Sequence, residues 1–415
     1  MEKTRNMKMT SIGPIPEDWE VIKIAAVGQD FSYGVGAEAI PYNGEDKYIR
    51  ITDINDESHR YTPDPVTSPS FFNENHLLKE NDIVVARTGA SVGKSYLYNT
   101  NDGKLVFAGF LMKFNVPDVD ARYVAYHFFT KRYWQWVNSE SARTGQPGLN
   151  IQQLKQFSFP SPTDLQEQKR IADALSGIDD MIGALDEAIA KKRQIKEGLK
   201  QQLLTGQTRL PGFIGAWLPK NLGKSALIKA RIGWQGLTTK EYLDSGAYYL
   251  ITGTDFKDGR IDWKNCHFVT QDRFDQDPYI KIQRHDVLVS KDGTIGKVAY
   301  LDDIPGPGTL NSGVFVIRSK DKSISQRYLA KVFVSKYFDD FIDSIVAGST
   351  IVHLYQKDIV KFDFMVPPTI EEQEQICDFL EGVDNEIIDL ESKRDKYASI
   401  KQGMMQDLLT GKTRL

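Results

Sequence analysis

The chain repeats itself at a fixed offset, and this repeat constrains its fold more than any other feature. Residues 166–210 align without a gap with residues 371–415, and 21 of the 45 aligned positions are identical. Both copies end alike, with LLTGQTRL at 203–210 and LLTGKTRL at 408–415. Self-similarity at a fixed period indicates one structural unit that occurs twice. The sequence therefore predicts a tandem repeat of about 205 residues per copy.

Each repeated segment has the pattern of a long helix. A capping residue begins each one, Asp164 and Thr369, with Glu three positions later, and Gly206 and Gly411 follow the last apolar residues. Alternating steps of four and three residues place the apolar positions on one narrow stripe, which is typical of a coiled-coil seam. The seam positions are Ile171, Leu175, Ile178, Ile182, Leu185, Ile189, Leu199 and Leu203, then Ile376, Leu380, Val383, Ile387, Leu390, Tyr397, Met404 and Leu408.

Two helices with the same seam favour packing on each other, although each could instead pack on its own domain. An antiparallel pair would place two globular domains about a pseudo-twofold axis. We therefore predict an α+β protein with an internal tandem repeat, two globular domains and an antiparallel coiled coil. The predicted boundaries are 1–163 and 207–368 for the domains, 164–206 and 369–411 for the helices, and 412–415 for a C-terminal tail.

The globular segments share a plan more loosely than the helices do. Both begin near an isolated tryptophan, Trp19 and Trp217, and both carry a strand pattern followed by a glycine loop, at 81–94 and 285–297. The first loop, GASVGKS, has three residues between its glycine and Gly-Lys where a phosphate-binding loop needs four. We expect a tight turn between strands, with glycines at positive φ.

Composition excludes several classes of protein. An apolar content of 40% and a charged content of 26% are ordinary for a folded soluble chain. Cys266 and Cys377 cannot form a disulfide framework, and no Cys/His spacing matches a metal site. No apolar run approaches a membrane span, so we expect a cytoplasmic protein. None of the six histidines stands in a nucleophile or metal spacing, which predicts no catalysis and no metal in this chain.

The contrast between the halves bears on function. Near-identical helices suggest that both halves present the same surface to the same kind of partner, whereas divergent domains suggest two different targets. Arg, Lys, Asn and Gln are the side chains suited to phosphates and base edges. For a DNA target, the candidate contact residues are Arg50, Arg60, Arg87, Lys94, Arg143, Gln146, Arg231, Lys257, Arg260, Lys264, Lys291 and Lys297.

At these segments the sequence resembles the specificity subunit of type I restriction-modification systems over essentially its whole length. The resemblance rests on the helix starts LQEQKRIADAL and IEEQEQICDFL, the paired LLTGxTRL endings, the glycine loops and the run at 143–162. It implies two target recognition domains that each read one half of a split DNA site. It also implies two methyltransferase subunits and restriction/translocase subunits as partners, in which S-adenosylmethionine, Mg and ATP would act, with no cofactor in this chain.

Two alternatives stay open at this point. A net charge of −4 offers no overall attraction to nucleic acid, so the chain could be a protein-protein adaptor with two binding domains on a coiled-coil spacer. It could also serve a modification system of another type.

Overall fold

The computed structural model describes residues 6–141, 148–346 and 353–415. They pack as two compact units, Met1–Asp186 with Ser392–Leu415 (unit 1) and Glu187–Glu391 (unit 2). Two long helices pass from one unit into the other, so each unit contains part of both. Within these described ranges, no helix is both long and apolar enough to cross a bilayer.

Unit 1 combines short strands with short helices. Its strands are β1 (Met7–Thr10), β2 (Gly13–Pro16), β3 (Trp19–Lys23), β4 (Gln29–Tyr33), β5 (Ala39–Pro41), β6 (Lys47–Ile49), β7 (Thr67–Pro69), β8 (Asp82–Ala86), β9 (Ser95–Leu97), β10 (Leu105–Phe107), β11 (Leu111–Asn115) and β12 (Ser158–Pro162). Its helices are α1 (Ile24–Val27), α2 (Ala121–His127), α3 (Lys131–Ser141), α4 (Ile151–Leu154) and the first part of α5 (Leu165–Thr205).

Unit 2 has the same kinds of element. Its strands are β13 (Leu218–Asn221), β14 (Ala226–Lys229), β15 (Tyr248–Ile251), β16 (Phe256–Lys257), β17 (Arg260–Ile261), β18 (His267–Val269), β19 (Val287–Ser290), β20 (Val298–Tyr300), β21 (Gly308–Leu310), β22 (Val314–Ser319) and β23 (Asp363–Val366). Its helices are α6 (Leu222–Ser225), α7 (Gln271–Asp275), α8 (Gln326–Phe333), α9 (Lys336–Val346), α10 (Gln356–Ile359) and the first part of α11 (Ile370–Leu408), whose second part belongs to unit 1.

The two units share one sheet plan. The largest sheet of unit 1 has the antiparallel order β4-β11-β8-β9, and that of unit 2 has the matching order β14-β22-β19-β20. In both units, the strand that precedes the long helix pairs with the strand at the tryptophan, as β12-β3 and β13-β23. A parallel pair, β6-β10 or β15-β21, is also common to both. The predicted α+β tandem repeat is therefore confirmed.

The inner strands are buried on both faces, which explains their continuous apolar sequence. In β8 (DIVVA), Ile83 and Val85 join one core cluster, while Val84 and Ala86 join another on the opposite face. The glycine loop then connects β8 to its antiparallel neighbour β9. Its glycines, like those of the equivalent β19-β20 loop, have positive φ between 71° and 91°. The predicted tight turn is confirmed.

Within each unit, the long helices run antiparallel. Four ion pairs between the helices show this direction, because residue numbers fall along α11 as they rise along α5. The pairs also explain why basic residues are tolerated in the seam, since each of them pairs with an acidic residue on the other helix. The pairs are Asp179–Lys401 (2.7 Å) and Asp186–Arg394 (3.6 Å) in unit 1, and Lys192–Glu386 and Lys196–Asp384 (2.5 Å) in unit 2.

Apolar packing accompanies these ion pairs. All sixteen positions that the sequence analysis assigned to the seam are buried or partly buried. In unit 1, Ile171 and Leu175 belong to the same core cluster as Leu408. In unit 2, Ile189 packs in a cluster with Val383.

A buried glutamine fixes the start of each long helix to the strand before it. Gln168 donates from Nε2 to the Ser161 hydroxyl (3.1 Å) and the Pro162 carbonyl (3.0 Å). Gln373 makes the equivalent bond to the Pro367 carbonyl (3.0 Å). Both side chains are almost fully buried, and the hydrogen bonds of their Nε2 groups offset the cost of desolvating these donors.

The residue before each of these glutamines is a buried glutamate that receives an arginine from the end of the other long helix. Glu167 (2% exposed) binds both Nε and Nη2 of Arg414, which also contacts Asp18 (2.7 Å). Glu372 (0% exposed) binds Arg209 at 2.8 and 2.6 Å. We call these two arginine–glutamate contacts the tail clasps. They explain why the EQ and TRL segments recur together in both halves.

The glycine of each LLTG ending packs against the tryptophan of its unit. Gly206 and Gly411 both have φ +71°, where glycine is favoured over residues that carry a Cβ. A Cβ on Gly206 would lie 3.1 Å from the Trp217 ring, and one on Gly411 would lie 2.4 Å from Pro16, beside Trp19. The C-terminal turn therefore requires glycine for its conformation and for its close approach to the tryptophan segment.

Candidate nucleic-acid interface

The glycine loop of unit 1 begins an edge at which three segments meet. The Arg87 amide, just after β8, donates to the Phe110 carbonyl (3.0 Å). The Leu149 amide donates in turn to the Arg87 carbonyl (2.8 Å). We define the loop edge of unit 1 as these three segments: Arg87 after β8, the turn at 109–110 and the segment at 148–149.

Unit 2 builds the same edge with different side chains. The Lys291 amide donates to the Gly313 carbonyl (2.9 Å), and the Leu354 amide donates to the Lys291 carbonyl (2.9 Å). Arg87 and Lys291 are thus equivalent, as are Phe110 and Gly313. The frame is common to both units because it consists of backbone bonds, whereas the side chains it presents differ.

In unit 1 the loop edge carries an arginine and two aromatic residues. The Arg87 guanidinium lies over the Tyr33 ring, 4.6 Å from its centroid. Phe110 is 65% exposed and Tyr33 is 41% exposed. Stacked guanidinium groups and exposed aromatic rings are suited to contact with bases.

In unit 2 the same edge is more polar. The Lys291 side chain is 14% exposed and lies 3.5 Å from Asp292, which also pairs with His353. Tyr355 is 51% exposed, and the Lys357 ammonium lies 5.2 Å from the centroid of its ring. Lys297, at the end of the loop, is exposed. The two edges therefore offer different chemistry at equivalent positions.

Two of the predicted DNA contacts have to be withdrawn, because their side chains are buried. Lys94 is 6% exposed, donates to the Ile54 carbonyl (2.9 Å) and pairs with Asp56 (2.5 Å). Arg231 is 2% exposed and donates to the Leu310 carbonyl (2.9 Å) among other acceptors. Both cations hold the fold of their units together, and neither can reach DNA in this conformation.

The remaining candidates are distributed over both units. Arg50 is bound through two nitrogens to Asp53, and Arg60 donates to the Asp179 carbonyl of α5 (3.0 Å). Exposed basic residues surround the β16-β17 hairpin, where Arg260 also pairs with Asp302 (3.2 Å). These residues are Lys257, Arg260 and Lys264. Arg143 and Gln146 lie outside the described residues.

Sequence reasoning missed the aromatic residues of the loop edge and both tail clasps. Tyr33 and Phe110 gave no signal because nothing in their local sequence indicates exposure. The clasps did have a signal, since Glu167 and Arg414 recur as Glu372 and Arg209 in the repeat. In the described part of the chain, no group of three or more His, Cys, Asp and Glu side chains is arranged to hold a metal ion.

Comparison with known proteins places this arrangement in a family. A family model described as "Type I restriction modification DNA specificity domain" matches residues 16–197 and 235–402. The type I restriction enzyme MjaVIII specificity subunit of Methanocaldococcus jannaschii is 25% identical over 437 residues, covering 100% of this chain and 97% of the relative.

Solved structures share the fold at lower identity. The type I restriction-modification S subunit of M. genitalium has a TM-score of 0.57 and 16% identity, covering 98% of this chain and 99% of that one. A chain from a study of complex assembly and conformational transition of the type I system has a TM-score of 0.61 and 14% identity, covering 96% and 99%. With two family matches over most of its length, the chain belongs to the type I restriction-modification specificity subunits, which recognise DNA.

Proposed function

We propose that this specificity subunit reads a bipartite, asymmetric DNA site, with the loop edge of each unit contacting one half-site. The observation that carries the proposal is the equivalence of the two edges: one backbone frame presents Arg87 and Phe110 in unit 1 but Lys291 and Gly313 in unit 2. A shared frame with different side chains is what two readers of different sequences require. Base edges are discriminated by such side chains, whereas exposed lysines contribute phosphate contacts that carry no sequence information.

The proposal also assigns the chemistry to partner subunits in the cytoplasm. The chain would be non-catalytic and would dock two methyltransferase subunits, joined by restriction/translocase subunits in the full complex. S-adenosylmethionine, Mg and ATP would act in those partners. Exposed apolar residues on the long helices are candidates for a docking surface, since exposed apolar patches mark interaction sites. They include Met181 and Ile400 in unit 1, and Ile195, Phe379 and Ile388 in unit 2.

The proposal is tested by co-expressing the chain with the methyltransferase encoded beside it and mapping methylated adenines across the host genome. We expect one motif with two specified halves and an unspecified gap. A stable complex that methylates no bipartite motif would contradict the proposal. Gel shifts of the complex at increasing salt should show the steep loss of affinity expected of phosphate contacts.

The docking surface has a separate test. Ile388 is 55% exposed on α11, so replacing it with Asp should leave the fold intact. We expect Ile388→Asp to reduce co-purification of the methyltransferase, because it introduces a charge into an apolar contact. Lys393→Asp, an exposed position five residues further along the same helix, is the matched control and should bind normally. Equal binding by both variants would place the docking surface elsewhere.

A further inference from the structure

Among the candidate arginines that the structure describes, Arg87 is the one whose guanidinium stacks on an aromatic ring. Its buried Nε has no acceptor among the described residues. Buried donors without a partner are uncommon in folded proteins and are costly to the fold. Arg50, by contrast, is bound through two nitrogens to Asp53. Within residues 6–141, 148–346 and 353–415, no acceptor of this chain engages the Arg87 Nε.

The tyrosine beneath Arg87 is itself held in place. Tyr33 ends β4 and pairs with Met112 of β11, and its hydroxyl accepts a hydrogen bond from the Ile151 amide (3.3 Å). The guanidinium lies over this ring at 4.6 Å. Stacking on an aromatic face leaves the planar edge of a guanidinium free for two parallel hydrogen bonds. Tyr33 thus acts as a positioning residue for the arginine.

We infer that Arg87 reads a guanine in the half-site bound by unit 1. The inference rests on the proposed function and names one base of its target. Guanine presents two acceptors, O6 and N7, on its major-groove edge, and a guanidinium matches both at once. Adenine presents the N6 donor where guanine has the O6 acceptor, and a pyrimidine does not present two acceptors on its major-groove edge. A phosphate would also accept from Arg87, but it would carry no preference for a base.

The equivalent position of unit 2 is less suited to a guanine than Arg87 is. Lys291 has a single ammonium, its side chain is only 14% exposed, and Asp292 lies 3.5 Å away. Its ammonium also lies 5.8 Å from the Phe315 ring centroid. A lysine of this kind is a point charge without the planar edge of arginine. We therefore assign the guanine to unit 1 alone.

The test uses the full chain co-expressed with its methyltransferase, with methylated-adenine motifs mapped for each variant. We expect Arg87→Gln to relax one position, a G·C pair, in one half-site while the other half-site stays unchanged. Discrimination at that pair should fall by about 5- to 150-fold. Arg87→Lys keeps the charge but loses the planar group that stacks on Tyr33, so it should retain more affinity than Arg87→Gln. Lys291→Gln is the matched control and should leave that position strict.

Three outcomes would overturn the inference. The motif of Arg87→Gln could stay strict at every position, or the relaxed position could be an A·T pair. Alternatively, binding could weaken equally for all sequences with a smaller salt dependence, which would identify a phosphate contact. In each case a bipartite motif would persist in the wild type, so the proposed function would stand. Circular dichroism of the purified complexes, together with the Arg87→Lys variant, guards against a folding defect.

Discussion

At the scale of single residues, bonding partners separate the arginines that hold the fold from those available to DNA. Arg414 and Arg231 bind groups of their own unit, whereas Arg87 has no such partner among the described residues. Arg414 is the clearest structural case, because removing it would leave Glu167 as a buried charge that is 2% exposed. His127 is also buried, and its Nε2 has no hydrogen-bond partner among the described residues. A positive charge on this ring would therefore be a buried charge without a partner.

We predict that Arg414→Ala lowers the free energy of unfolding by about 3 kcal/mol, the lower end of the range for breaking a buried ion pair. The lower end applies because the arginine side chain remains 23% exposed. Urea denaturation monitored by circular dichroism measures the change. Lys412→Ala, at an exposed position two residues earlier, should change stability by less than ~0.5 kcal/mol. Similar values for the two variants would show that the tail clasp contributes little.

A second residue-scale prediction concerns acid. Burial lowers the pKa of His127 from 6.5 to about 3, and burial with the nearby charges of Lys401 and Lys94 lowers the pKa of His59 to about 4. The unfolded chain protonates both below pH 6.5 and the native chain does not, so stability should fall as pH falls from 6.5 toward 4. Each histidine contributes at most ~1.4 kcal/mol per pH unit.

The histidine prediction is checked by urea denaturation at several pH values. His127→Phe should reduce the dependence of stability on pH over this window, because the unfolded state then binds one proton fewer. Phe128→Leu, at the buried position next to His127, removes no titratable group, is the matched control and should keep the wild-type dependence. An unchanged slope in His127→Phe would mean that another group governs acid sensitivity.

At the scale of elements, the long helices depend on a buried stripe. Ile376, on α11, is 1% exposed and packs in the main core cluster of unit 2. We predict that Ile376→Ala lowers the free energy of unfolding by about 2–5 kcal/mol, since truncation removes apolar contacts and leaves a cavity. Ile388→Ala, on an exposed face of the same helix, should stay within ~0.5 kcal/mol of wild type. Thermal denaturation of both variants distinguishes a buried stripe from a uniformly apolar helix.

Elements with a local signature were predictable, and contacts between distant segments were not. The helix seams follow from spacing within one segment, and the glycine loops follow from residue type at a turn. The tail clasps were missed because their partners lie 247 and 163 residues apart in sequence. The burial of Lys94 was missed for a similar reason: its acceptors are carbonyls 40 and 43 residues away. Local patterns determine elements, whereas burial of a cation depends on which backbone groups the fold brings to it.

At the scale of the whole molecule, family membership decides between DNA recognition and the protein-protein adaptor, in favour of recognition. Family membership does not give the length of the gap between the half-sites, and the role of the long helices in setting it stays a prediction. Since α5 and α11 each contribute residues to both units, we expect their length to set that gap. Ion pairs such as Lys196–Asp384 place Ala190 of α5 opposite Leu390 of α11.

We predict that inserting seven residues after Ala190 and seven after Leu390 lengthens the gap and leaves both half-sites unchanged. Seven helical residues add about 10.5 Å, which corresponds to about three base pairs of duplex. A matched heptad in both helices preserves the seam register. Mapping of methylated adenines gives the gap directly, and a change in either half-site would contradict the role of the helices as a spacer.

The loop edges have a consequence for how such a protein can diverge. Their frame consists of backbone bonds, Arg87 to Phe110 in unit 1 and Lys291 to Gly313 in unit 2, and these bonds form with any residue other than proline at the donor position. Exchanging an exposed residue such as Phe110 (65% exposed) typically changes stability by less than ~0.5 kcal/mol. We therefore expect substitutions at the exposed side chains of the loop edges to change the recognised sequence more readily than they disturb the fold.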